Sequence, residues 1–294
     1  MKRQLIRSDA VLMLTAMIWG FAFVAQRVGM DYVGPFTFNG IRFALGSAVL
    51  IPFIVKKNAS SPGKAFSGFR DLGWGGVLAG AALFIGASLQ QAGLVYTTAG
   101  NAGFITGLYV VIVPIMGLFF GQRTHAGTWV GAVSAALGLY LLSITDGFSI
   151  AFGDLLELLG AFFWAGHVLI IGWLSPRSSA LKLAFVQFTA CSILSLFTAV
   201  VFETIVLSAV VSAALPIFYG GALSVGVAYT LQVVGQKHAH PAHAAILLSL
   251  EAVFAALGGW LFLDEILSPR GLFGCGLMLG GMLFSQLWEY IRPA

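Results

Sequence analysis

The hydrophobic pattern of the chain is organised around one uncharged stretch, from Leu72 to Gln122. Asp71 and Arg123 bound it, and its 51 residues include no Asp, Glu, Lys, Arg or His. A single helix of this length would reach about 75 Å, whereas the hydrocarbon core of a bilayer is about 30 Å thick. The Gly and Asn within residues 96–101 can reverse the chain. The stretch therefore predicts a membrane helical hairpin.

Similar apolar runs follow one another along most of the chain, separated by short polar loops. The runs are continuous, which excludes the alternating segments of an outer-membrane β-barrel. They predict an all-α polytopic membrane protein with ten transmembrane helices. The approximate limits of these helices are 9–28, 36–55, 72–95, 99–121, 127–144, 153–173, 183–203, 214–236, 242–263 and 271–289.

The composition excludes a soluble globular protein. Hydrophobic residues make up 59% of the chain and charged residues 9%, with a mean hydropathy of +0.95. Soluble domains have roughly 25% charged residues. Cys191 and Cys275 both lie inside apolar runs. They are therefore expected to be packing residues, and not a disulfide or a metal pair.

The basic residues predict the orientation in the membrane. If the N-terminus is inside, twelve of the fifteen Lys and Arg residues lie inside, and only Arg27, Arg42 and Arg270 lie outside. This bias follows the positive-inside rule, so both termini are predicted to be cytoplasmic. The net charge of +4 reflects this topology, and no nucleic-acid partner is expected. The twelve inner residues are Lys2, Arg3, Arg7, Lys56, Lys57, Lys64, Arg70, Arg123, Arg177, Lys182, Lys237 and Arg292.

Landmarks recur along the chain at an offset of 141 to 145 residues. The segment around Trp19 recurs around Trp164, for example. We predict two copies of a five-helix unit, at 1–145 and 146–294. Because five is odd, the second copy would enter the membrane from the opposite face. Such inverted repeats are typical of secondary transporters that work by alternating access.

Two glycine motifs bear on helix packing. Gly276 and Gly280 form a GxxxG in the tenth predicted span, and Gly127 and Gly131 form one in the fifth. Such motifs allow close crossing or dimerisation of helices. We expect spans five and ten to pack within one chain, and either a monomer or a homodimer is compatible with the sequence.

Three segments carry a family resemblance. They are Trp19-Gly20, residues 98–109, and residues 248–254 followed by Asp264-Glu265. Together they resemble the drug/metabolite transporter (DMT) superfamily, EamA type. The resemblance implies ten spans, a central cavity, and export or exchange of small metabolites such as amino acids across the bacterial inner (plasma) membrane. A Glu often closes the fourth span in this family. Arg123 departs from that pattern, and Glu265 keeps it in the second copy.

Ionisable residues at membrane depth are costly, so each is a candidate for function. Glu251 lies near the middle of the ninth span, where it could take a proton, bind a substrate ammonium group, or act only as a structural carboxyl. Arg42 could bind a substrate carboxylate in bidentate fashion, or extend to the surface. His167 could relay protons or simply bond a neighbouring helix. Glu251 and His167 are thus the proton-coupling candidates.

Neutral polar and aromatic residues complete the predicted substrate site. Amides in lipid must find partners, and most of them tie helices together. Some of these residues are stronger site candidates because they match between the two predicted copies. For the aromatic residues away from the membrane interfaces, an aromatic-walled pocket and simple core packing are both possible. These residues are Trp19, Gln91, Tyr109, Trp164, Tyr229 and Gln232.

Three histidines, His238, His240 and His243, surround Pro241 at the inner start of the ninth span. No carboxylate or Cys lies nearby in sequence, so we predict no metal site there and expect a partly hydrated inner gate instead. No cofactor is predicted.

A secondary transporter of a small molecule is the leading interpretation. The motifs of intramembrane enzymes, such as clustered Asp residues for Mg²⁺ or an H-E-x-x-H helix, are absent from the sequence, as is a nucleotide-binding loop. The alternative is a passive facilitator or channel, or an integral subunit of a membrane complex. An intramembrane enzyme is a further, less favoured alternative. Beyond the bilayer, the expected partner is the transported small molecule.

Overall fold

The structure, a computed structural model, describes residues 2–57, 69–122, 124–143, 152–266 and 268–291. Within these ranges all regular secondary structure is helical. Three of the basic residues named above lie outside the described residues: Lys64, Arg123 and Arg292.

The described ranges contain fourteen α-helices and two helical segments of other types. The α-helices are α1 (Lys2–Gly29), α2 (Pro35–Lys57), α3 (Phe69–Gly93), α4 (Ala99–Gly107), α5 (Tyr109–Phe119), α6 (Ala126–Ser143), α7 (Phe152–Leu174), α8 (Ala180–Phe202), α9 (Leu207–Ser212), α10 (Ala214–Phe218), α11 (Thr230–Gly235), α12 (Pro241–Leu248), α13 (Glu251–Phe262) and α14 (Pro269–Ile291). A 3-10 turn, Ser175–Arg177, follows α7, and a π-helix, Tyr219–Tyr229, joins α10 to α11.

Eight helical segments are long and apolar enough to cross a membrane. They are Gln4–Gly29, Pro35–Lys56, Trp74–Gly93, Ala99–Phe119, Phe152–Arg177, Ala180–Phe202, Ala214–Gly235 and Pro241–Phe262. Each coincides with a predicted span, so the all-helical membrane class is confirmed. The predicted fifth and tenth spans fall on two shorter apolar helical stretches, Ala126–Gly138 and Leu272–Gly281.

The two shorter stretches pack against each other as α6 and α14. Gly138 lies directly against the backbone of Gly274, and a Cβ atom on Gly281 would meet Ser134 at 2.6 Å. This confirms the predicted packing of spans five and ten. Cβ atoms at Gly276 and Gly280, however, would meet no atom of the described side chains within 4 Å, so the GxxxG in the tenth span takes no part in the described contact.

The other helices form the main bundle, and most of its packed pairs join a helix before residue 145 to one after it. Such pairs are α1 with α13, α2 with α8, α3 with α7, and α4 with α13. The largest apolar cluster lies where these pairs meet, and it includes the aromatic residues Tyr109, Trp164 and Tyr229. A polar cavity lies in this central region.

Candidate functional site

A closed polar cavity lies in the middle of the bundle. Its volume is about 30 Å³, which is room for one or two water molecules. Fourteen residues line it: Trp19, Phe23, Gln26, Arg42, Gln90, Thr106, Tyr109, Trp164, His167, Val168, Ser224, Tyr229, Gln232 and Glu251. Eight of the nine site residues predicted from the sequence are among them.

Gln91 is the predicted residue that the structure places elsewhere. Its Nε2 donates a hydrogen bond to the backbone carbonyl of Gln26 at 3.1 Å, which ties α3 to α1. Its neighbour Gln90 lines the cavity instead. Adjacent residues of a helix point about 100° apart. The match of Gln91 with Gln232 in the predicted repeat therefore identified the correct turn of α3 but not the face that is turned to the cavity.

Breaks in three helical segments bring backbone and side chains to the cavity. The fourth predicted span is interrupted at Leu108, between α4 and α5, and Tyr109 follows the break. The ninth is interrupted at Ser249 and Leu250, and Glu251 follows. The π-helix of the eighth span ends at Tyr229. Such irregular turns are common at functional sites.

An aromatic group forms one wall of the cavity, with Tyr229 at its centre. The ring centroid of Tyr229 lies 4.4 Å from that of Trp19 and 6.1 Å from that of Trp164, which stacks on it at an interplanar angle of 26°. Trp19 Nε1 also donates to the carbonyl oxygen of Ser224 in the π-helix, at 3.3 Å. These contacts hold both matched tryptophans against one tyrosine, as an aromatic-walled pocket requires.

Arg42 is 2% exposed, and its contacts hold it away from the membrane surface. Its Nε donates to Asn39 Oδ1 at 2.9 Å, and Asn39 in turn donates to the carbonyl of Ala87 at 2.9 Å. The guanidinium carbon lies 5.0 Å from the ring centroid of Phe43 and 5.6 Å from that of Phe38. The side chain is therefore fixed at the cavity, and the alternative of extending to the surface does not occur here.

Glu251 and His167 occupy different parts of the cavity wall. Glu251 is 4% exposed and lines the cavity together with Tyr109. His167 is fully buried, and its Nε2 lies 2.7 Å from Gln187 Oε1. Because an amide oxygen only accepts hydrogen bonds, Nε2 carries the proton in this arrangement and Nδ1 is the acceptor.

Several buried polar atoms of the cavity wall have no hydrogen-bond partner in the described part of the chain. They are Gln26 Oε1, the Tyr109 hydroxyl, Trp164 Nε1, His167 Nδ1 and Gln232 Oε1. An unsatisfied buried polar atom costs about 1–3 kcal/mol. Three acceptors, one donor and one hydroxyl thus converge on a closed space, which is the arrangement of a site that a polar ligand or water completes.

Glu157 is a site residue that was not predicted from the sequence. Its side chain is fully buried in α7 and accepts a hydrogen bond from Thr106 Oγ1 at 3.1 Å. The signal was present, since Glu157 is an ionisable residue inside an apolar run, the same criterion that selected Glu251.

A second, larger space lies at one end of the bundle, and we call it the vestibule. Its volume is about 600 Å³, and its lining includes the ion pair of Arg27 and Asp31, whose atoms are 2.9 Å apart. Thr97 Oγ1 donates to Asp154 Oδ1 there at 2.8 Å. Glu265 accepts from the backbone N–H groups that begin α4, at 2.9 and 3.0 Å.

An apolar cluster separates the vestibule from the central cavity. It consists of Phe23, Leu94, Ala99, Ala102 and Ala255, with Met30 and Leu263 packed against it. Phe23 also lines the cavity and Leu263 lines the vestibule, so the cluster reaches from one space to the other. The cavity is therefore closed on the vestibule side by apolar side chains.

The histidines lie at the opposite end of the bundle. His243 is buried, with Nε2 3.0 Å from Asp9 Oδ1. His240 begins α12, and its Nδ1 accepts a hydrogen bond from the Ala242 N–H at 3.4 Å. Burial lowers the pKa of His240, and the nearby His125 and His243 lower it further. No three potential ligands in the described ranges are grouped as a metal site.

Comparisons with known proteins show that the chain belongs to a transporter family. The EamA-like transporter family matches residues 6–144 and 151–286. An "Uncharacterized transporter" of Archaeoglobus fulgidus is 36% identical, over 95% of this chain and 86% of its own length. The "Uncharacterized inner membrane transporter YedA" of Escherichia coli is 23% identical, over 99% and 94%. A solved crystal structure matches with a TM-score of 0.76 at 20% identity, over 98% and 99% of the two chains. This last likeness concerns the fold alone.

Proposed function

We propose, from the premise that this chain belongs to the EamA-like transporter family, that it moves a small amphipathic metabolite such as an amino acid by proton-coupled alternating access. The chain is a membrane transporter. The observation that carries the finer proposal is that Arg42 and Glu251 line one closed cavity together with Trp19, Trp164 and Tyr229. A cation, a carboxyl and an aromatic wall match the parts of a zwitterion with an apolar side chain.

Each polar group has a role in this proposal. A substrate carboxylate would meet the guanidinium of Arg42, whose planar fork suits bidentate binding. A substrate ammonium group would meet the Glu251 carboxylate, and a proton would take its place when the substrate leaves. Gln26, His167 and Gln232 supply acceptors that have no partner in the closed cavity. Trp19 and Trp164 exclude water and hold the apolar part of the substrate.

The proposed architecture is ten crossings in two inverted five-helix repeats, with both termini cytoplasmic. The matched helix breaks support it, because Tyr109 and Glu251 each follow a break and lie 142 residues apart. Broken helices in corresponding positions of two halves are typical of transporters that bind substrate near the bilayer midplane. In this architecture α6 is the fifth crossing of the first half and α14 is the fifth crossing of the second half.

The closed cavity supports a carrier over a passive channel. About 30 Å³ is too small for an amino acid, so substrate can enter only when the bundle opens. A continuous pore would require a connected aqueous path, but apolar side chains separate the cavity from the vestibule.

The proposal is tested by finding a ligand and then changing Glu251. Purified protein is screened by thermal shift against amino acids, nucleobases and sugar phosphates, because a ligand of the folded state raises the melting temperature. For the compound that raises the melting temperature most, transport into proteoliposomes is then measured at several pH values. We expect Glu251→Gln to lower transport roughly thirtyfold, for about 2 kcal/mol of lost charge interaction, and to remove its pH dependence.

Two further variants separate the parts of the proposal. Asp31→Asn removes an exposed vestibule carboxylate and serves as the matched control, with transport unchanged. Arg42→Lys should weaken binding of a carboxylate ligand, since Lys cannot reproduce the bidentate fork. Transport by Glu251→Gln at the wild-type rate and with the wild-type pH profile would show that this carboxyl does not couple protons.

A further inference from the structure

A line of polar side chains runs from the vestibule to the central cavity beside the apolar cluster. It starts at Asp154, which is half-buried, lines the vestibule and accepts a hydrogen bond from Thr97. Glu157 follows one helical turn later on α7, where residues three apart share a face. Glu157 is bonded to Thr106 of α4, and Thr106 lines the central cavity with Glu251.

Glu157 is enclosed without a cation among the groups that act on it. Its partners are the Thr106 hydroxyl and, through space, the carboxyls of Asp154 and Glu251. Its Oε1 is buried and has no hydrogen-bond partner in the described part of the chain. Burying a charged carboxylate in this way is expensive, and taking up a proton relieves the cost. A group with this environment is suited to holding a proton in transit.

The backbone at this point is arranged to make room for the carboxyl. A Cβ atom on Gly93 of α3 would lie 2.7 Å from Glu157 Oε1 and 3.0 Å from its Cγ. Any larger residue at that position would displace the carboxyl from the interface between α3 and α7. The space around the carboxyl therefore depends on the glycine facing it.

The far end of the line is the cavity itself. Tyr109, Glu251 and Thr106 line it together, and it has room for one or two water molecules. The two ends of this line of polar side chains thus differ. One end opens to the vestibule, and the other reaches Glu251, the carboxyl that we propose couples protons to transport.

We propose that Glu157 is a proton relay that connects the vestibule with Glu251 while the apolar cluster keeps the substrate path closed. This inference rests on the proposed role of Glu251. A proton passes from vestibule water to Asp154 and then to Glu157. The Thr106 hydroxyl donates to Glu157 Oε2 when that carboxyl is charged. Once Glu157 is protonated, the hydroxyl turns, accepts the Glu157 proton and releases its own through cavity water to the Glu251 carboxylate. At the end Glu251 is neutral, Asp154, Glu157 and Thr106 have their starting protonation, and one proton has left the vestibule.

The test needs no substrate. Full-length protein in lipid is moved rapidly from about pH 8 to about pH 5, across the ordinary range of buried carboxyls, and the carbonyl stretch of protonated carboxyls is followed by infrared spectroscopy. Glu251→Gln identifies the Glu251 band. We expect Glu157→Gln to remove a second band and to slow the appearance of the Glu251 band roughly a hundredfold, the contribution of one positioned proton-transfer group.

Changes at Thr106 test the path without touching a carboxyl. Thr106→Val should leave the Glu157 band at its wild-type rate and slow the Glu251 band, whereas Thr106→Ser should restore the wild-type rate. Asp31→Asn is the matched control, because Asp31 lines the same vestibule but is paired with Arg27, and both bands should keep their rates.

The outcomes distinguish the two proposals. If the Glu251 band appears at the wild-type rate in Glu157→Gln and in Thr106→Val, the relay is wrong and the coupling role of Glu251 stands. If Glu251→Gln loses no band, Glu251 takes up no proton in this range, and both proposals are overturned. A Glu251 band slowed in both variants and normal in Asp31→Asn supports the relay.

Discussion

At the scale of single residues, the charged and polar groups at the ends of the bundle have different partners from those in its middle. The central cavity contains acceptors, such as His167 Nδ1 and Gln232 Oε1, that have no hydrogen-bond partner among the described residues. At the ends, side chains instead satisfy the first N–H groups of helices. Glu265 does so for α4 and His240 for α12. Of these two end caps, His240 is an imidazole, and its pKa is lowered from the ordinary 6.5 by burial.

Protonation of His240 should therefore lower the stability of the folded protein. Its pKa is lowered from the ordinary 6.5 in the folded state, so the unfolded chain binds the proton more readily, and the stabilisation is present above about pH 6.5 and lost as the pH falls. Protonated Nδ1 can no longer accept from Ala242, and loss of such a cap costs roughly 1 kcal/mol.

The measurement is the melting temperature from tryptophan fluorescence between about pH 8 and about pH 5. His240→Asn keeps a capping oxygen and removes the titration, so its melting temperature should fall less than that of the wild type over this range. An identical fall in both proteins would show that His240 contributes nothing to the pH dependence.

At the scale of helices, close approach of α1 to α13 positions the site. Trp19 points into the cavity, and Gly20 lies against the backbone of α13, with Phe254 Cβ as its nearest neighbour. A Cβ atom on Gly20 would also meet the carbonyl oxygen of Glu251 at 2.7 Å and the nitrogen of Ala255 at 2.9 Å. Trp19 and Gly20 thus place an aromatic ring and a close contact between α1 and α13 beside Glu251.

Gly20→Ala should consequently disturb both packing and site. The new methyl group would meet backbone atoms, which cannot rotate away, and overpacking of this kind costs about 1–3 kcal/mol. Gly166→Ala is the matched control, because a Cβ atom on Gly166 of α7 would meet nothing within 4 Å, and alanine favours a helix over glycine. We expect thermal unfolding of purified protein to show a lower melting temperature for Gly20→Ala only. Equal melting temperatures for the two variants would contradict the close approach.

At the scale of the whole molecule, the two ends of the bundle join the halves through different groups. Near the vestibule end, carboxylates from the second half bond donors from the first. These pairs are Asp154 with Thr97, Glu157 with Thr106, Glu203 with Thr37, and Glu265 with the start of α4. At the other end Asp9 of the first half meets His243 of the second. Rocking of one half against the other would have to loosen one of these sets.

The positive-inside prediction places the vestibule outside the cell. Single cysteines are introduced after Cys191 and Cys275 are replaced by alanine. In intact cells a membrane-impermeant maleimide should label Tyr96→Cys, at an exposed vestibule position, and should not label His238→Cys, which is exposed at the opposite end. After permeabilisation both should react. Labelling of His238→Cys alone in intact cells would reverse the orientation that the basic residues predict.

Much of this architecture follows from the sequence by itself. Uninterrupted apolar runs can satisfy their backbone groups in lipid only as helices, so the helical class and the eight long spans could be predicted. Arg42, His167 and Glu251 could be selected as cavity residues because an ionisable side chain inside such a run is expensive. Trp19 and Trp164 could be paired because the sequence around them is similar at an offset of 145 residues.

Only the tertiary structure decided which face of each helix is turned to the cavity. A membrane helix is apolar towards lipid and towards its neighbours alike, so periodicity gives no inner face. That is why Gln90 rather than Gln91 lines the cavity, why Gly276 and Gly280 are not at the crossing of α6 and α14, and why Glu157 was missed. The sequence determined which segments enter the membrane, and helix packing determined which of their polar groups meet.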